Sequence, residues 1–165
     1  MTSNGFQIIE EYPFMGASPD DIAECNCCGK RIVEVKCAYS IAEEGKTFSE
    51  LEYLTKSADG SLVMNEKHIY YYQIQIEMLS TGISMADFVV WTPNEHLVLR
   101  YFKNNEFCNR MVEKCSLFFH HAILPELLAK YYTRTHTKKT RKCKRKNENT
   151  CSAALQNCTA SSSDI

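Results

Sequence analysis

Hydrophobic and polar positions divide the chain into a patterned first part and an unpatterned end. Residues 1–132 contain stretches with the periodicity of strands and helices. The remaining residues are polar, rich in Ser, Thr and Lys, and show no periodicity. The pattern therefore predicts one folded domain over residues 1–132 and a disordered basic tail over residues 133–165.

Several short stretches of the first part are typical of strands. Alternation in residues 32–37 (IVEVKC) predicts a strand, and the Asn-Cys-Cys-Gly sequence before it predicts a hairpin turn. The other stretches with an extended character are residues 6–10, 17–24, 86–91 and 96–102. The last two of these are separated by a predicted turn and are expected to form a second hairpin.

Two longer segments are expected to be helical. Residues 68–81 have a helical composition and end at Gly82, a residue common just after a helix. Residues 104–131 predict a long helix bent at Pro125, whereas residues 43–60 are charged and loop-like. This order of strands and helices predicts an α/β domain whose central mixed sheet is flanked by helices.

The net charge of -1 conceals an uneven distribution along the chain. Residues 1–133 carry 11 Lys and Arg against 18 Asp and Glu, whereas residues 134–165 carry eight against two. The basic residues of the tail cluster at 134–146, a composition typical of nucleic-acid binding or nuclear targeting. A solvated tail without either role remains an equal alternative.

The cysteines indicate a reducing environment. There are nine at irregular spacing, which favours free thiols in the cell interior over a disulfide framework. Cys25, Cys27 and Cys28 lack the two-residue spacer of common zinc motifs, so free thiols are favoured there too. No run of 18 apolar residues predicts a membrane span.

One pair of short motifs carries chemistry: Ser-Pro-Asp20 and, after the predicted turn, Val-Glu34-Val-Lys36. On a strand, Glu34 and Lys36 share a face, and a hairpin would return Asp20 to their side. Two carboxylates and an ammonium form a hard-oxygen site suited to Mg²⁺ or Mn²⁺ and to phosphodiester hydrolysis. The alternative is an exposed ion pair beside an ordinary turn.

Five motifs occur together and in order: EYPFMGASPD at 11–20, CCGK at 27–30, VEVKCAY at 33–39, YYYQIQ at 70–75 and DFVVWT at 87–92. In this the chain resembles the YqaJ-like viral recombinase family, which belongs with the phage lambda-type alkaline exonucleases of the PD-(D/E)xK superfamily. The resemblance implies a restriction-endonuclease-like core. It also implies a metal-dependent nuclease, an exonuclease acting on DNA ends in recombination, repair or viral replication.

The resemblance also assigns roles to residues. It implies that Asp20 and Glu34 are ligands of Mg²⁺ or Mn²⁺, that the carbonyl of Val35 is a third ligand, and that Lys36 is the catalytic lysine. Gln73 would be the family's glutamine near the attacking water or phosphate. The implied partner is DNA, and because related exonucleases form rings, a homo-oligomer stays open.

Some features favour a second interpretation. Family members carry helices before the first core strand, which contribute a carboxylate and contacts to the DNA 5′ end, and the chain is expected to lack them. A truncated or domesticated nuclease remnant, acting as a DNA-binding or interaction protein, is therefore the alternative. Of the polar residues near Gln73, Gln75 is the weaker candidate, and Glu77 is expected to matter much less.

Overall fold

The computed structural model describes residues 5–134. Its strands are β1 (Gln7–Ile9), β2 (Tyr12–Ala17), β3 (Asp21–Cys25), β4 (Gly29–Cys37), β5 (Leu54–Lys56), β6 (Leu62–Met64), β7 (Met85–Trp91) and β8 (His96–Phe102). Its α-helices are α1 (Tyr39–Glu43), α2 (Ile69–Thr81), α3 (Asn105–Phe118), α4 (Leu124–Ala129) and α5 (Tyr131–Arg134). The chain separates into two compact units, one ending at Leu124 and the other beginning at Pro125.

The central sheet has four strands in the order β3-β4-β7-β8. Strands β4 and β7 run parallel, whereas β3 pairs with β4 and β8 with β7 in antiparallel fashion. The parallel pair requires a long crossover, which here contains α1, β5, β6 and α2. The predicted α/β architecture with a mixed sheet flanked by helices is confirmed.

The core lies where α2 packs against the central sheet. Ile74 and Met78 of α2 are fully buried, as are Ile32, Phe88 and Val90 of the sheet. Removal of this apolar surface from water is the main force holding the helix to the sheet. Truncating a ring such as that of Phe88 to alanine would cost about 3–5 kcal/mol.

Both ends of α2 are fixed by local interactions. At the start, Nδ1 of His68 accepts a hydrogen bond of 3.2 Å from the backbone N–H of Tyr70. At the end, Gly82 adopts a left-handed conformation with φ of 71°, which a glycine adopts without steric cost. The helix predicted over residues 68–81 is confirmed, with His68 as its cap.

The segments before and after β4 differ from their predictions. Residues 17–24 are not one extended stretch, because β2 ends at Ala17 and the chain bends before β3. Residues 43–60 are not simply a loop, since Phe48–Glu50 forms a 3₁₀ turn and β5 pairs with β6. Residues 43–60 contain few apolar side chains, so their sequence shows no periodicity from which these short elements could be predicted.

The long helix predicted over residues 104–131 forms as an unbroken run of helical residues from Asn105 to Ala129, in which a π-helical turn separates α3 from α4, and it ends at Lys130, whose φ is 48°. Helix α3 begins after Asn104, whose side chain accepts a hydrogen bond of 3.0 Å from the N–H of Phe107. It ends at Phe118, and a π-helical turn at Phe119–Ile123 precedes Pro125. Since proline has no N–H to donate, the regular hydrogen-bond ladder is interrupted near it, where such turns are accommodated.

Among residues 5–134, no helix has both the length and the apolar character that a membrane crossing requires. The basic cluster at 138–146 and most of the predicted tail lie outside the described residues.

Candidate metal and nucleic-acid site

The β3–β4 hairpin brings Asp20 to the Val-Glu-Val-Lys motif of β4. Cys25 pairs with Gly29 at the turn, and Asp21 pairs with Val33 at the open end. Asp20, immediately before β3, therefore lies level with the end of this ladder. Its Oδ2 accepts a hydrogen bond of 2.9 Å from the N–H of Val35. The hairpin thus connects two motifs that are 15 positions apart in the sequence.

Glu34 and Lys36 lie on the same face of β4, as the alternation of strand side chains requires. Lys36 Nζ is 2.5 Å from Glu34 Oε1 and 4.6 Å from the centre of the Tyr70 ring. The Glu34 side chain is almost completely buried, with 1% of its surface exposed. The pair is therefore a partly desolvated ion pair, supported by a cation–π contact, and not an exposed one.

Gln73 of α2 contacts the same oxygen of Glu34 that Lys36 contacts. Its Nε2 donates to Glu34 Oε1 at 2.5 Å and to Glu77 Oε1 at 3.0 Å. The side-chain amide therefore lies between two carboxylates and contacts both. The structure brings together the side chains of Glu34, Lys36 and Gln73, whereas Asp20 is held to the backbone of Val35, the residue between Glu34 and Lys36.

Glu77 is a member of this site that the sequence interpretation undervalued. Its side chain is 1% exposed. Burial, reinforced by the negative charge of Glu34, raises the pKa of Glu77 to about 8. This placement conflicts with the minor contribution expected for it. The one signal available in the sequence was its position four residues after Gln73, which puts the two on one helix face.

Both buried carboxylates retain one oxygen without a protein partner. Oε2 of Glu34 and Oε2 of Glu77 are buried and receive no hydrogen bond from any residue in the described range. A buried polar oxygen without a partner costs about 1–3 kcal/mol, and more when it is charged. Carboxylate oxygen is the ligand type that Mg²⁺ and Mn²⁺ prefer, so the chemistry of these donors suits a divalent cation. The oxygens of Asp20, Glu34 and Glu77 do not all lie within 4.8 Å of one another, so the three carboxylates do not form a closed ligand set in this structure.

Gln75, the weaker candidate, has a structural position. It is fully buried, donates to the carbonyl of Phe102 at 3.2 Å and accepts from the N–H of Asn104 at 2.9 Å. These bonds hold α2 to the end of β8 and the start of α3. The nitrogen and the oxygen of the Gln75 amide are thus both hydrogen-bonded to backbone groups.

A second charged network holds the strands beside the site. Asp87 of β7 receives two hydrogen bonds from Arg100 of β8, at 2.7 and 2.9 Å. Its other neighbour is Arg31 of β4, whose Nε lies 2.7 Å from Asp87 Oδ2. The hydrogen bonds from Arg100, aided by Arg31, lower the pKa of Asp87 below its usual 3.8. Three adjacent strands are thus held by one buried carboxylate.

The fold is similar to that of solved alkaline exonucleases. The structure of an alkaline exonuclease (LHK-Exo) from Laribacter hongkongensis superposes with a TM-score of 0.55 at 20% sequence identity. The structure of LHK-Exo in complex with dAMP gives a TM-score of 0.53, also at 20% identity. Each superposition covers 83% of this chain and 62% of the other, so the chain spans about three fifths of their length.

A comparison with curated protein sequences found no significant match. The sequence model of the YqaJ-like viral recombinase domain, in contrast, matches residues 1–84. The matched range is half of the chain, and it contains both halves of the hairpin and the whole of α2. The chain therefore belongs to the YqaJ-like viral recombinase domain family.

Proposed function

We propose that this protein is a metal-dependent DNA nuclease that acts as an exonuclease on DNA ends. The observation that carries the proposal is the hydrogen bond that ties Asp20 to the N–H of Val35, between the paired side chains of Glu34 and Lys36 on β4. Membership of the recombinase family supports it, as does the likeness in fold to alkaline exonucleases. Recombination, repair and viral replication are the processes in which such an activity would serve.

The metal would be held by the carboxylates of Asp20 and Glu34 and the carbonyl oxygen of Val35. A bound Mg²⁺ or Mn²⁺ would withdraw charge from a DNA phosphate and lower the pKa of a coordinated water. Lys36 supplies a positive charge beside Glu34 and would stabilise the negative charge that develops on the phosphate. Asp20 is exposed and Glu34 is buried, so the proposed ion would lie at the protein surface with one ligand open to solvent and one buried.

Gln73 and Glu77 would set the geometry and charge of this centre. Gln73 and Lys36 both contact Oε1 of Glu34, which fixes the orientation of that carboxylate and leaves Oε2 without a protein partner. Glu77 would be a third carboxylate, either as a ligand or as the acceptor that orients Gln73. A divalent cation would favour loss of the Glu77 proton, and the carboxylate so formed would strengthen the attraction for that cation.

The proposal extends to the organisation of the chain and its partners. Residues 1–132 would form the nuclease core, and residues 133–165 would be a basic tail that binds DNA phosphates or directs the protein to the nucleus. DNA is the proposed partner, and a homo-oligomer is the proposed assembly by analogy with related ring-forming exonucleases. An intracellular location follows from the same proposal, since the substrate is there.

The test is cleavage of linear duplex DNA by the purified chain, with Mg²⁺, with Mn²⁺ and with a chelator. We expect shortening of the DNA only with the divalent metals, and its loss in Glu34→Gln, which keeps the shape of the side chain and removes its charge. The matched control is Glu24→Gln, since Glu24 is an exposed carboxylate on the same hairpin.

Two results would count against the nuclease. One is cleavage that is unchanged in Glu34→Gln, and the other is the absence of cleavage with either metal. In the second case, DNA binding that needs no metal would support the alternative, a nuclease remnant acting as a DNA-binding protein. The excess of acidic over basic residues in residues 1–133, 18 against 11, is the observation that favours this alternative.

A further inference from the structure

Three thiols meet at the tip of the β3–β4 hairpin. Cys25 is the last residue of β3, and Cys27 and Cys28 form the turn before Gly29. The three sulfur atoms all lie within 4.8 Å of one another. Within the described residues this thiol cluster (Cys25, Cys27 and Cys28) is the one group of cysteine, histidine and acidic side chains that meets this distance.

The tight turn is what brings the sulfurs together. Gly29 adopts φ of 74°, a left-handed conformation that lets β4 begin directly after Cys28. Cys25 pairs with Gly29 across the hairpin, so only three residues lie between the paired positions. Sequence spacing favoured free thiols, because zinc motifs usually separate two cysteines by two residues. The turn nevertheless brings all three sulfur atoms within 4.8 Å of one another, which the spacing alone did not indicate.

We propose that the thiol cluster binds one thiophilic metal ion, Zn²⁺ or a softer cation, through three thiolates with a fourth position left open. Thiolate sulfur is the ligand type that selects such ions over Mg²⁺. Three protein ligands with an additional water or exogenous ligand are a known arrangement for Zn²⁺. Cys27 and Cys28 are exposed and Cys25 is partly exposed, so the ion has free access.

A neighbouring arginine complements the charge of the proposed site. Three thiolates with a divalent cation carry a net charge of -1. Arg31 Nη1 lies 3.6 Å from Cys28 Sγ, within hydrogen-bonding distance for sulfur, while Arg31 Nε lies beside Asp87. The guanidinium is therefore held near the sulfurs by the network that joins β4, β7 and β8. Such outer contacts orient the ligands of metal sites.

The proposed ion would act on the hairpin and does not depend on the nuclease assignment. It would close the tip of the hairpin, where β3 is an edge strand held by β4 alone in the central sheet. The register of β3 against β4, continued one position past Asp21↔Val33, sets Asp20 opposite Glu34, and Asp20 accepts a hydrogen bond from the N–H of Val35. Fixing the tip would thus stabilise the relative position of the two halves of the carboxylate site.

The test uses the full chain, freshly reduced, in excess Mg²⁺ so that the carboxylate site does not take up the added metal. Zn²⁺ is titrated and the bound metal is measured after gel filtration, and Co²⁺ is then substituted to record thiolate-to-metal charge-transfer absorption. We expect one Zn²⁺ per chain and a thiolate spectrum. Cys25→Ser and Cys27→Ser should each lower the Zn²⁺ affinity by at least tenfold.

The matched control is Cys37→Ser, because Cys37 is an exposed thiol on β4 outside the thiol cluster. It should bind one Zn²⁺ with unchanged affinity, as should a chain with Cys143, Cys151 and Cys158 replaced by serine. Loss of binding in either control would overturn the proposal. So would a Co²⁺ complex without thiolate absorption, or a Cys25–Cys27 disulfide that persists under reduction and prevents metal uptake.

Discussion

Gln73 donates a hydrogen bond of 2.5 Å to the carboxylate of Glu34, which lies 39 positions earlier in the chain. The bond joins α2 to β4, the strand that carries the proposed metal ligand Glu34 and the proposed catalytic lysine Lys36. Because the same amide also donates to Glu77, the orientation of one carboxylate depends on the position of the other. The side chains of the site are therefore linked by hydrogen bonds. We expect their substitutions to differ in whether they change the cleavage rate, the metal affinity or the stability of the fold.

Lys36→Ala should lower the rate of DNA cleavage by roughly 10²- to 10³-fold, the usual effect of removing one group that stabilises developing charge. The fold should remain, because the apolar core between α2 and the sheet is untouched, while the loss of the ammonium leaves the buried Glu34 carboxylate without its counter-charge and lowers the Tm. Thermal unfolding and single-turnover cleavage of labelled linear DNA measure the two effects. Lys30→Ala, at an exposed position on the same strand, is the control and should cleave normally. Full activity in Lys36→Ala would contradict the assigned role.

Glu77→Gln should weaken Mg²⁺ binding by about 10- to 100-fold, the range seen when groups around metal ligands are removed. The measurement is the Mg²⁺ concentration that gives half-maximal cleavage, together with direct Mn²⁺ binding by calorimetry. Glu66→Gln, an exposed carboxylate, should leave both unchanged. Unaltered metal binding in Glu77→Gln would restrict Glu77 to a structural role.

Although Glu77→Gln should weaken metal binding, it should raise the stability of the folded protein when no metal is present. The pKa of Glu77 is raised from its usual 4.5 to about 8 in the folded state. The folded protein therefore holds a proton that the unfolded chain has released, and stability falls as the pH rises between these two values. Glu77→Gln should remove this decline and unfold a few degrees higher than the wild type at pH 8 in a chelating buffer. A wild-type Tm that does not fall over this range would contradict the raised pKa.

Gln73→Ala and Gln75→Ala form a matched pair of truncations two residues apart on α2. Gln73→Ala should reduce cleavage by about 10- to 100-fold through misorientation of Glu34. Gln75→Ala should instead lower the free energy of unfolding by about 2–4 kcal/mol, since it leaves a cavity and two backbone groups without partners. Urea unfolding and kcat of the folded fraction separate the two, and the reverse assignment of effects would show that Gln75 is the functional residue.

Asp87→Asn should destabilise the sheet in a pH-dependent manner. Contact with Arg100, and then Arg31, lowers the pKa of Asp87 below 3.8. Its contribution is therefore present above that value and is lost as the pH falls through the lower folded pKa. The difference in unfolding free energy between wild type and variant should be clear at pH 7 and shrink below pH 3. A difference that grows on acidification would contradict the ion-pair network.

Deleting residues 135–165 tests the basic tail. If its lysines and arginines contact phosphates, the deletion should weaken DNA binding and flatten the dependence of log affinity on log salt concentration. Fluorescence anisotropy at several salt concentrations measures this. An unchanged slope would exclude phosphate contacts by the tail, and nuclear import of a reporter carrying only this segment would then test the targeting role.

The alternation of residues along β4 was sufficient, by itself, to place Glu34 and Lys36 on one face and to predict the turn that returns Asp20. Both features are determined by neighbouring residues: strand geometry sets which side chains share a face, and the conformational freedom of glycine allows the tight turn. The helix over residues 69–81 was likewise predictable from its composition and from Gly82. The family motifs added the candidate role of Gln73, which the pattern alone did not distinguish from a solvated glutamine.

Only the tertiary structure decided how α2 lies against the sheet, and with it the environment of Glu77. Periodicity shows which residues share a helix face, but it does not show whether that face meets apolar side chains or another carboxylate. The burial that raises the pKa of Glu77 arises from packing against a strand about 40 positions away in the sequence. The thiol cluster depended on the turn in the same way, because its three sulfurs converge only when Gly29 closes the hairpin.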